Sequence, residues 1–308
     1  MSPDGLQISS AHEHWSLAIH GIRDGVNKVI FETLDRPITL SIFSPDGSMF
    51  ASVAMDSIIN VWEASTGQLL KKFDNQLEGT TITFLAFSPD STKIVFTCGD
   101  SSLQHVQMWH MKEDLVITIE DLDKAGVAAF FPSGIQLVTM SGTGAIRIWD
   151  ITSNVPQQQL TLEDSVNSSR EMARPYLLIS SDSTRMVSSR YLWDIVNYQK
   201  LAEVSDPSAA MFTSNGHRVT LISERYGRTY VVTILDAITG ASLYSDNYYE
   251  YAHISLTPTC LLCFDVYGGI EILDIESLST PGPTIVQHLS CIYPPDQMMI
   301  RNPSWILK

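Results

Sequence analysis

A turn sequence that returns about every forty residues constrains this chain more than any other feature. It reads Ser2-Pro3-Asp4-Gly5, Ser44-Pro45-Asp46-Gly47, Phe87-Ser88-Pro89-Asp90 and Phe131-Pro132-Ser133-Gly134, then Ser181-Asp182-Ser183, Thr213-Ser214-Asn215-Gly216 and Thr257-Pro258-Thr259. A second landmark closes each copy at His20, Trp62, Trp109, Trp149, Trp193, Leu235 and Leu273, with spacings of 42, 47, 40, 44, 42 and 38. The best-preserved copy shows what lies between. Apolar runs at 38–43, 49–53, 58–62 and 69–73 are separated by Ser44-Pro45-Asp46-Gly47, Asp56-Ser57 and Thr66-Gly67. Short β-prone runs split by turn residues make an antiparallel four-stranded sheet. One such sheet has two exposed faces and cannot bury a core by itself. Stacking the copies solves that problem.

The expected fold is therefore all-β. It is a seven-bladed β-propeller of four-stranded antiparallel blades, one domain over residues 1–308. The first copy lacks its innermost strand. Residues 287–293 read as that missing strand, closing the ring by pairing with the N-terminal blade, since each blade packs only on its neighbours. Residues 298–307 would then be a surplus strand. The third copy has a longer middle hairpin, between Gly99 and Gln104, and the fifth a shortened one before Trp193.

Trp149-Asp150, Trp193-Asp194, the Ser-Pro-Asp-Gly turns, and Asp56 six residues before Trp62 resemble the WD-repeat propeller family. The resemblance implies a hydrogen-bonded set within each blade, made of an Asp in the second hairpin, a Ser or Thr, a His and the Trp. Asp56 and Trp62 fit that set and Thr143 holds the corresponding place before Trp149; the family's Gly-His pair is largely missing. Degenerate repeats of this kind are similar to fungal WD-repeat arrays attached to nucleotide-binding signalling proteins.

Composition narrows the partners. With 19 Lys and Arg against 34 Asp and Glu, the 308 residues carry a net charge of −15, which repels a phosphate backbone. Nucleic acid and anionic membrane are not expected as partners. Lys71-Lys72, the densest basic pair, reads as an edge strand guarded against aggregation. The first residues have neither the basic region nor the apolar run of a signal peptide, and runs such as 231–235 are far too short to span a membrane. Four cysteines fit a reducing compartment. Asn167-Ser168-Ser169 is read as a loop. The expected location is the cytoplasm, with the nucleus as alternative.

Chemical motifs are few. His12 and His14 share a strand face, but no third ligand accompanies them, so they read as exposed hairpin residues and no metal is expected. Cys260 and Cys263 have redox spacing, yet residues three apart on a strand face opposite sides, and they read as buried thiols. Gly142-Thr143-Gly144 opens like a dinucleotide loop, but position 147 is Arg147 and the segment joins two strands, making it a hairpin turn. No nucleophile elbow or phosphate loop occurs. Neither cofactor nor catalytic residue is assigned. Trp62, Trp109, Trp149 and Trp193 recur with the repeat and read as packing between sheets, whereas Trp15 and Trp305 stand outside that register.

One cluster points outward. Tyr248, Tyr249 and Tyr251 lie in the connection from the sixth copy to the seventh, and Arg225, Tyr226 and Arg228 in the second hairpin of the sixth. Exposed tyrosine and arginine are favoured contact residues, and both segments should reach one face. The expected function is a non-catalytic scaffold or adaptor holding a protein partner there. The alternatives are a propeller hydrolase with channel-lining carboxylates, and a ligand-sensing array of a larger signalling protein.

Overall fold

In a computed structural model of the chain, every regular element among the described residues is a strand. The structure describes residues 2–4, 6–11, 17–21, 27–30, 36–74, 80–100, 103–122, 126–163, 175–204, 206–213, 215–225, 229–248, 251–256, 260–265, 269–274 and 284–290, those beyond 250 as backbone strands. They form seven antiparallel sheets, each made of strands consecutive in the sequence.

The first sheet holds β1 (Gln7–Ala11), β2 (Leu17–Gly21) and β3 (Asn27–Ile30). The second holds β4 (Ile38–Phe43), β5 (Met49–Ala54), β6 (Ile58–Glu63) and β7 (Leu69–Asp74). The third is β8 (Thr81–Phe87), β9 (Lys93–Gly99), β10 (Gln104–His110) and β11 (Leu115–Leu122). The fourth is β12 (Val127–Phe130), β13 (Gln136–Met140), β14 (Ala145–Asp150) and β15 (Gln157–Glu163). The fifth is β16 (Leu177–Ile179), β17 (Arg185–Ser188), β18 (Tyr191–Asp194) and β19 (Gln199–Glu203). The sixth is β20 (Ala209–Phe212), β21 (Arg218–Arg225), β22 (Thr229–Asp236) and β23 (Ser242–Tyr248). The seventh is β24 (Tyr251–Leu256), β25 (Cys260–Asp265), β26 (Gly269–Asp274) and β27 (Thr284–Ser290). Sheets one to four fall in one compact unit and sheets five to seven in another.

Within each unit, sheets stack face on face. Leu17 and Ile19 of the first sheet pack on Phe50 and Trp62 of the second. Val53, Ile59 and Val61 of the second meet Ile94, Phe96 and Trp109 of the third. Met108 and Ile117 of the third meet Leu137 and Trp149 of the fourth. In the other unit, Val187 and Leu192 meet Phe212, Leu221 and Leu235. The landmark side chain thus faces the preceding sheet in each of these pairs. Middle strands such as β5 and β9 are buried on both faces, which explains their near-continuous apolar runs. Fourth strands such as β7 are exposed edges, and Lys71 and Lys72 sit there as expected.

The first-to-second-strand turns share one geometry. The N–H of Gly47 donates to the Ser44 carbonyl (2.9 Å), Gly134 to Phe131 (2.8 Å) and Gly216 to Thr213 (2.8 Å), each glycine having φ near +70°. Ser91 and Ser183 occupy the same place with φ of 58° and 60°.

Register holds a detail that periodicity cannot show. In six of the seven sheets the pairing of third and fourth strands slips by one residue immediately before the landmark: at Ile19/His20, Val61/Trp62, Ile148/Trp149, Leu192/Trp193, Ile234/Leu235 and Ile272/Leu273. Such a bulge bends and twists the outer strand at a fixed point of each copy. The third sheet differs, with its slip at Val106/Gln107.

The expected closing strand is corrected. Residues 287–290 do not pair with the N-terminal sheet; they belong to β27, bonded to β26 through pairs such as Ile272↔Gln287 and Ile270↔Leu289. A short connection from Asp274 costs far less closure entropy than pairing across the whole chain. Positions 291–293 and 298–307 lie outside the described residues.

Candidate interaction surfaces

The recurring tryptophans are internal, with Trp62, Trp109, Trp149 and Trp193 exposed by 3%, 0%, 9% and 2%. A buried indole N–H needs an acceptor. Trp62 Nε1 donates to Ser52 Oγ (3.0 Å), Trp149 to Thr139 Oγ1 (3.0 Å) and Trp193 to Ser188 Oγ (2.9 Å). Each hydroxyl stands two residues after the landmark's cross-strand partner, which is Phe50, Leu137 and Met186 respectively. In the third sheet that position is Phe96, and Trp109 turns instead to Asp114 Oδ1 (2.9 Å). Thr143, expected in this role, shares a hydrogen bond with Ser141 (2.8 Å) at the hairpin tip. Asp56 accepts from the Ile58 N–H (3.2 Å) and serves its own turn. The sequence reading missed Ser52, Thr139 and Ser188, although a hydroxyl at the same place in each second strand marks all three. Thr139 also donates to Glu120, which accepts from Arg147 as well, so an ion pair ties the third sheet to the fourth.

The predicted contact residues collect at one end of the sixth sheet. The β21–β22 register runs from Arg218↔Asp236 to Arg225↔Thr229, eight pairs where the equivalent β5–β6 hairpin has five. At about 3.3 Å per residue, the three extra pairs lengthen this ladder by roughly 10 Å. Tyr230 pairs with Tyr248 at that end of β22, and Tyr251 opens β24 directly afterwards. Backbone positions Arg225, Tyr248 and Tyr251 are thereby brought to one sheet end; Tyr226, Arg228 and Tyr249 lie outside the described residues.

The opposite turns are stapled by carboxylates. Ser44 Oγ donates to Asp46 Oδ1 (2.6 Å), Ser88 to Asp90 (2.5 Å) and Ser180 to Asp182 (2.6 Å), and each Asp also accepts a backbone N–H two residues on. Partial burial is the largest influence on these carboxyls and pushes their pKa up, but the hydrogen bonds together outweigh it and hold each below the ordinary aspartate value. These acids are turn-formers.

Between such turns run two grooves at equivalent places in the repeat. One, of about 520 Å³ between the third and fourth sheets, is lined by Asp90, Lys93, His110, Pro132, Ile135 and Thr152, among others. The other, of about 380 Å³ between the fifth and sixth, is lined by Asp182, Arg185, Asp194, Val196, His217 and Ile238, among others. Val196 and Ile238 are 62% and 52% exposed, which makes that rim apolar. Arg185 is fully employed there: Nη1 faces Asp194 Oδ2 (3.4 Å) and Nε donates to the Ala237 carbonyl (2.7 Å).

The remaining motifs carry no visible chemistry. Gly142-Thr143-Gly144 is a turn between β13 and β14, with the Gly144 N–H donating to the Ser141 carbonyl (3.0 Å). Cys260 and Cys263 lie on β25, and His12 and His14 fall outside the described residues. Among the described residues no group of three His, Cys, Asp or Glu could hold a metal ion, and no helix is long and apolar enough to cross a membrane.

The family model described as "WD domain, G-beta repeat" matches residues 33–63 and 67–107, which span the second sheet and most of the third. The chain carries WD repeats. This WD-repeat chain is 24% identical over 211 residues to the WD repeat-containing protein WDS homolog of Arabidopsis thaliana, covering 65% of this chain and 38% of that protein. It is 22% identical over 213 residues to Actin-interacting protein 1 of Drosophila melanogaster, covering 68% of this chain and 33% of that one. It thus spans little more than a third of either relative's length. The crystal structure of the computationally designed Ika8 protein matches it with a TM-score of 0.66 at 21% identity, covering 88% of this chain and 81% of that one, a likeness of fold. The WD-repeat chain has a β-propeller-like fold.

Proposed function

We propose that this WD-repeat chain is a non-catalytic interaction scaffold that holds a protein partner at the projecting end of its sixth sheet. The observation that carries this reading is the β21–β22 hairpin, three cross-strand pairs longer than its counterpart in the second sheet. The equivalent hairpins described have three pairs in the fifth sheet and seven in the third, so the eight of the sixth make the longest of them, and such lengthening gains surface without gaining core. In the sequence, Tyr226 and Arg228 fall between β21 and β22, and Tyr248, Tyr249 and Tyr251 fall where β23 gives way to β24, residue types that supply contact area at low entropy cost. The seven copies are read as blades of one propeller over residues 1–308, on the strength of the unbroken recurrence of the landmark. A protein partner suits the name of the Drosophila relative, though nothing points to actin itself. Nucleic acid is left out because of the net charge of −15. A cytoplasmic setting belongs to the same reading and rests on the sparse cysteines.

The test is affinity capture from a eukaryotic lysate, comparing the wild-type chain with Tyr226→Ala/Arg228→Ala and with Tyr248→Ala/Tyr249→Ala/Tyr251→Ala. The expected result is at least a tenfold loss of the captured partner with an unchanged melting temperature. Equal recovery from all three chains would overturn the assignment.

A further inference from the structure

The two grooves between sheets are copies of one another, so each serves as a control for the other. The residue after the landmark is acidic in five sheets: Glu63, Asp150, Asp194, Asp236 and Asp274. Across the register it faces the first residue of the second strand, which makes the pairs Arg185↔Asp194 and Arg218↔Asp236. In the third sheet the cation is kept and the acid is gone: Lys93 pairs with His110. Lys93 is half-buried on the groove wall, and among the described residues its ammonium makes no hydrogen bond or ion pair within contact distance, acting on Asp90 only through space. His110 Nε2 is buried and also lacks a hydrogen-bond partner.

Where the second groove sets Asp194 directly against its cation, the first, larger groove has no strand-paired acid opposite Lys93, only Asp90 in the adjacent turn. We propose that the groove between the third and fourth sheets binds the carboxylate of an Asp or Glu side chain from a partner protein, with Lys93 as its counter-charge and His110 lining the seat.

Asp90 does not forbid this. Its Oδ1 accepts from the Ser88 hydroxyl and from the N–H and hydroxyl of Thr92, and its charge is felt by Lys93 from the turn. Asp182, its counterpart, takes the matching three bonds on Oδ1 and Oδ2 and coexists with Asp194 beside one arginine, so a second carboxylate is tolerated next to a turn aspartate. The charged groups around His110 are Lys93, Asp90 and Glu113. Burial, then the nearby lysine, holds the His110 pKa below its ordinary value, so near neutral pH Lys93 is the only positive group among them. The rest of the seat is uncharged: Pro132, Ser133 and Gly134 on one side, Ile151 and Thr152 on the other. This surface is distinct from the long hairpin, so either can fail without the other.

The experiment titrates the full chain with the peptides acetyl-Gly-Glu-Gly-amide and acetyl-Gly-Gln-Gly-amide, reading the His110 ring and Lys93 side-chain NMR signals. The Glu peptide should shift both signals with saturation on the order of millimolar, as expected for one weak charged contact, and the Gln peptide should shift neither. Two variants have templates inside the chain. Lys93→Met copies Met49 of the second sheet, and His110→Asp copies Asp194 of the fifth. Each should weaken binding of the Glu peptide at least tenfold, and His110→Asp should also raise the melting temperature. Equal shifts from the Gln peptide, or undiminished binding by His110→Asp, would overturn the proposal. So would tenfold tighter binding of inorganic phosphate, which would make the site a phosphate seat.

Discussion

Tyr176 and Ala210 exchange two hydrogen bonds across the fifth and sixth sheets. The Ala210 N–H donates to the tyrosine oxygen (2.8 Å), and the tyrosine hydroxyl donates to the Ala210 carbonyl (3.2 Å). Burial pushes the Tyr176 pKa up and the Ala210 bond pulls it back only in part. One side chain thus satisfies both backbone groups of a β20 residue. Tyr176→Phe leaves both unpaired and should cost about 1–3 kcal/mol in urea unfolding. A neutral result would mean that water replaces the hydroxyl at no cost.

The indole-to-hydroxyl bond should matter wherever it occurs. Thr139→Val keeps the volume but removes the acceptor of Trp149 and the donor to Glu120, and should lose about 1–3 kcal/mol. Ser52→Ala, with one bond at stake, should lose about 1 kcal/mol. In the third sheet the sensitive residue is Asp114, not position 96. Denaturant midpoints of these two variants and of Asp114→Ala check the ranking.

Gly240 sits at φ +76°, and a Cβ added there would lie 2.5 Å from the Leu201 carbonyl oxygen on the neighbouring sheet. Gly240→Ala therefore combines left-handed strain, worth about 1–2 kcal/mol, with a backbone clash that no rotamer can relieve. Thermal melting should show a loss larger than the strain alone.

Ser183 runs the other way. It holds φ +60° at the turn position that Gly47, Gly134 and Gly216 fill elsewhere. Ser183→Gly removes the strain at some entropy cost and should stabilise by up to about 1 kcal/mol. A drop in melting temperature would show that the serine side chain supports the turn.

Acid should unfold the chain through its turns. Asp46, Asp90 and Asp182 have pKa values below the ordinary one in the folded state. The unfolded chain therefore takes up protons first as pH falls. Their contribution is whole above the ordinary aspartate pKa of about 3.9 and drains away below it. His110, also lowered, adds an earlier loss that begins near its unfolded pKa of about 6.5. Denaturant midpoints from pH 8 to pH 3 should fall in two stages, and His110→Gln should remove the first.

Much was legible without coordinates. Turn chemistry such as Ser44-Pro45-Asp46-Gly47 is local, depending on φ preference and a side chain that bonds two residues on, so the turns, the strands between them and the incomplete first sheet follow from the residues. The burial of Trp62, Trp109, Trp149 and Trp193 follows as well, because a large aromatic recurring at the repeat period has no solvent-facing reason to recur. Pairing is not local. The apolar run at 287–290 suits either the N-terminal sheet or β26, and only loop-closure entropy together with the observed register decided for β26. The choice of Thr139 over Thr143, the bulge before six landmarks and the pairing of Lys93 with His110 instead of an acid were decided in the same way. Each depends on which residue stands opposite which across two strands. A sequence records its neighbours along the chain; the folded structure chose the neighbours across it.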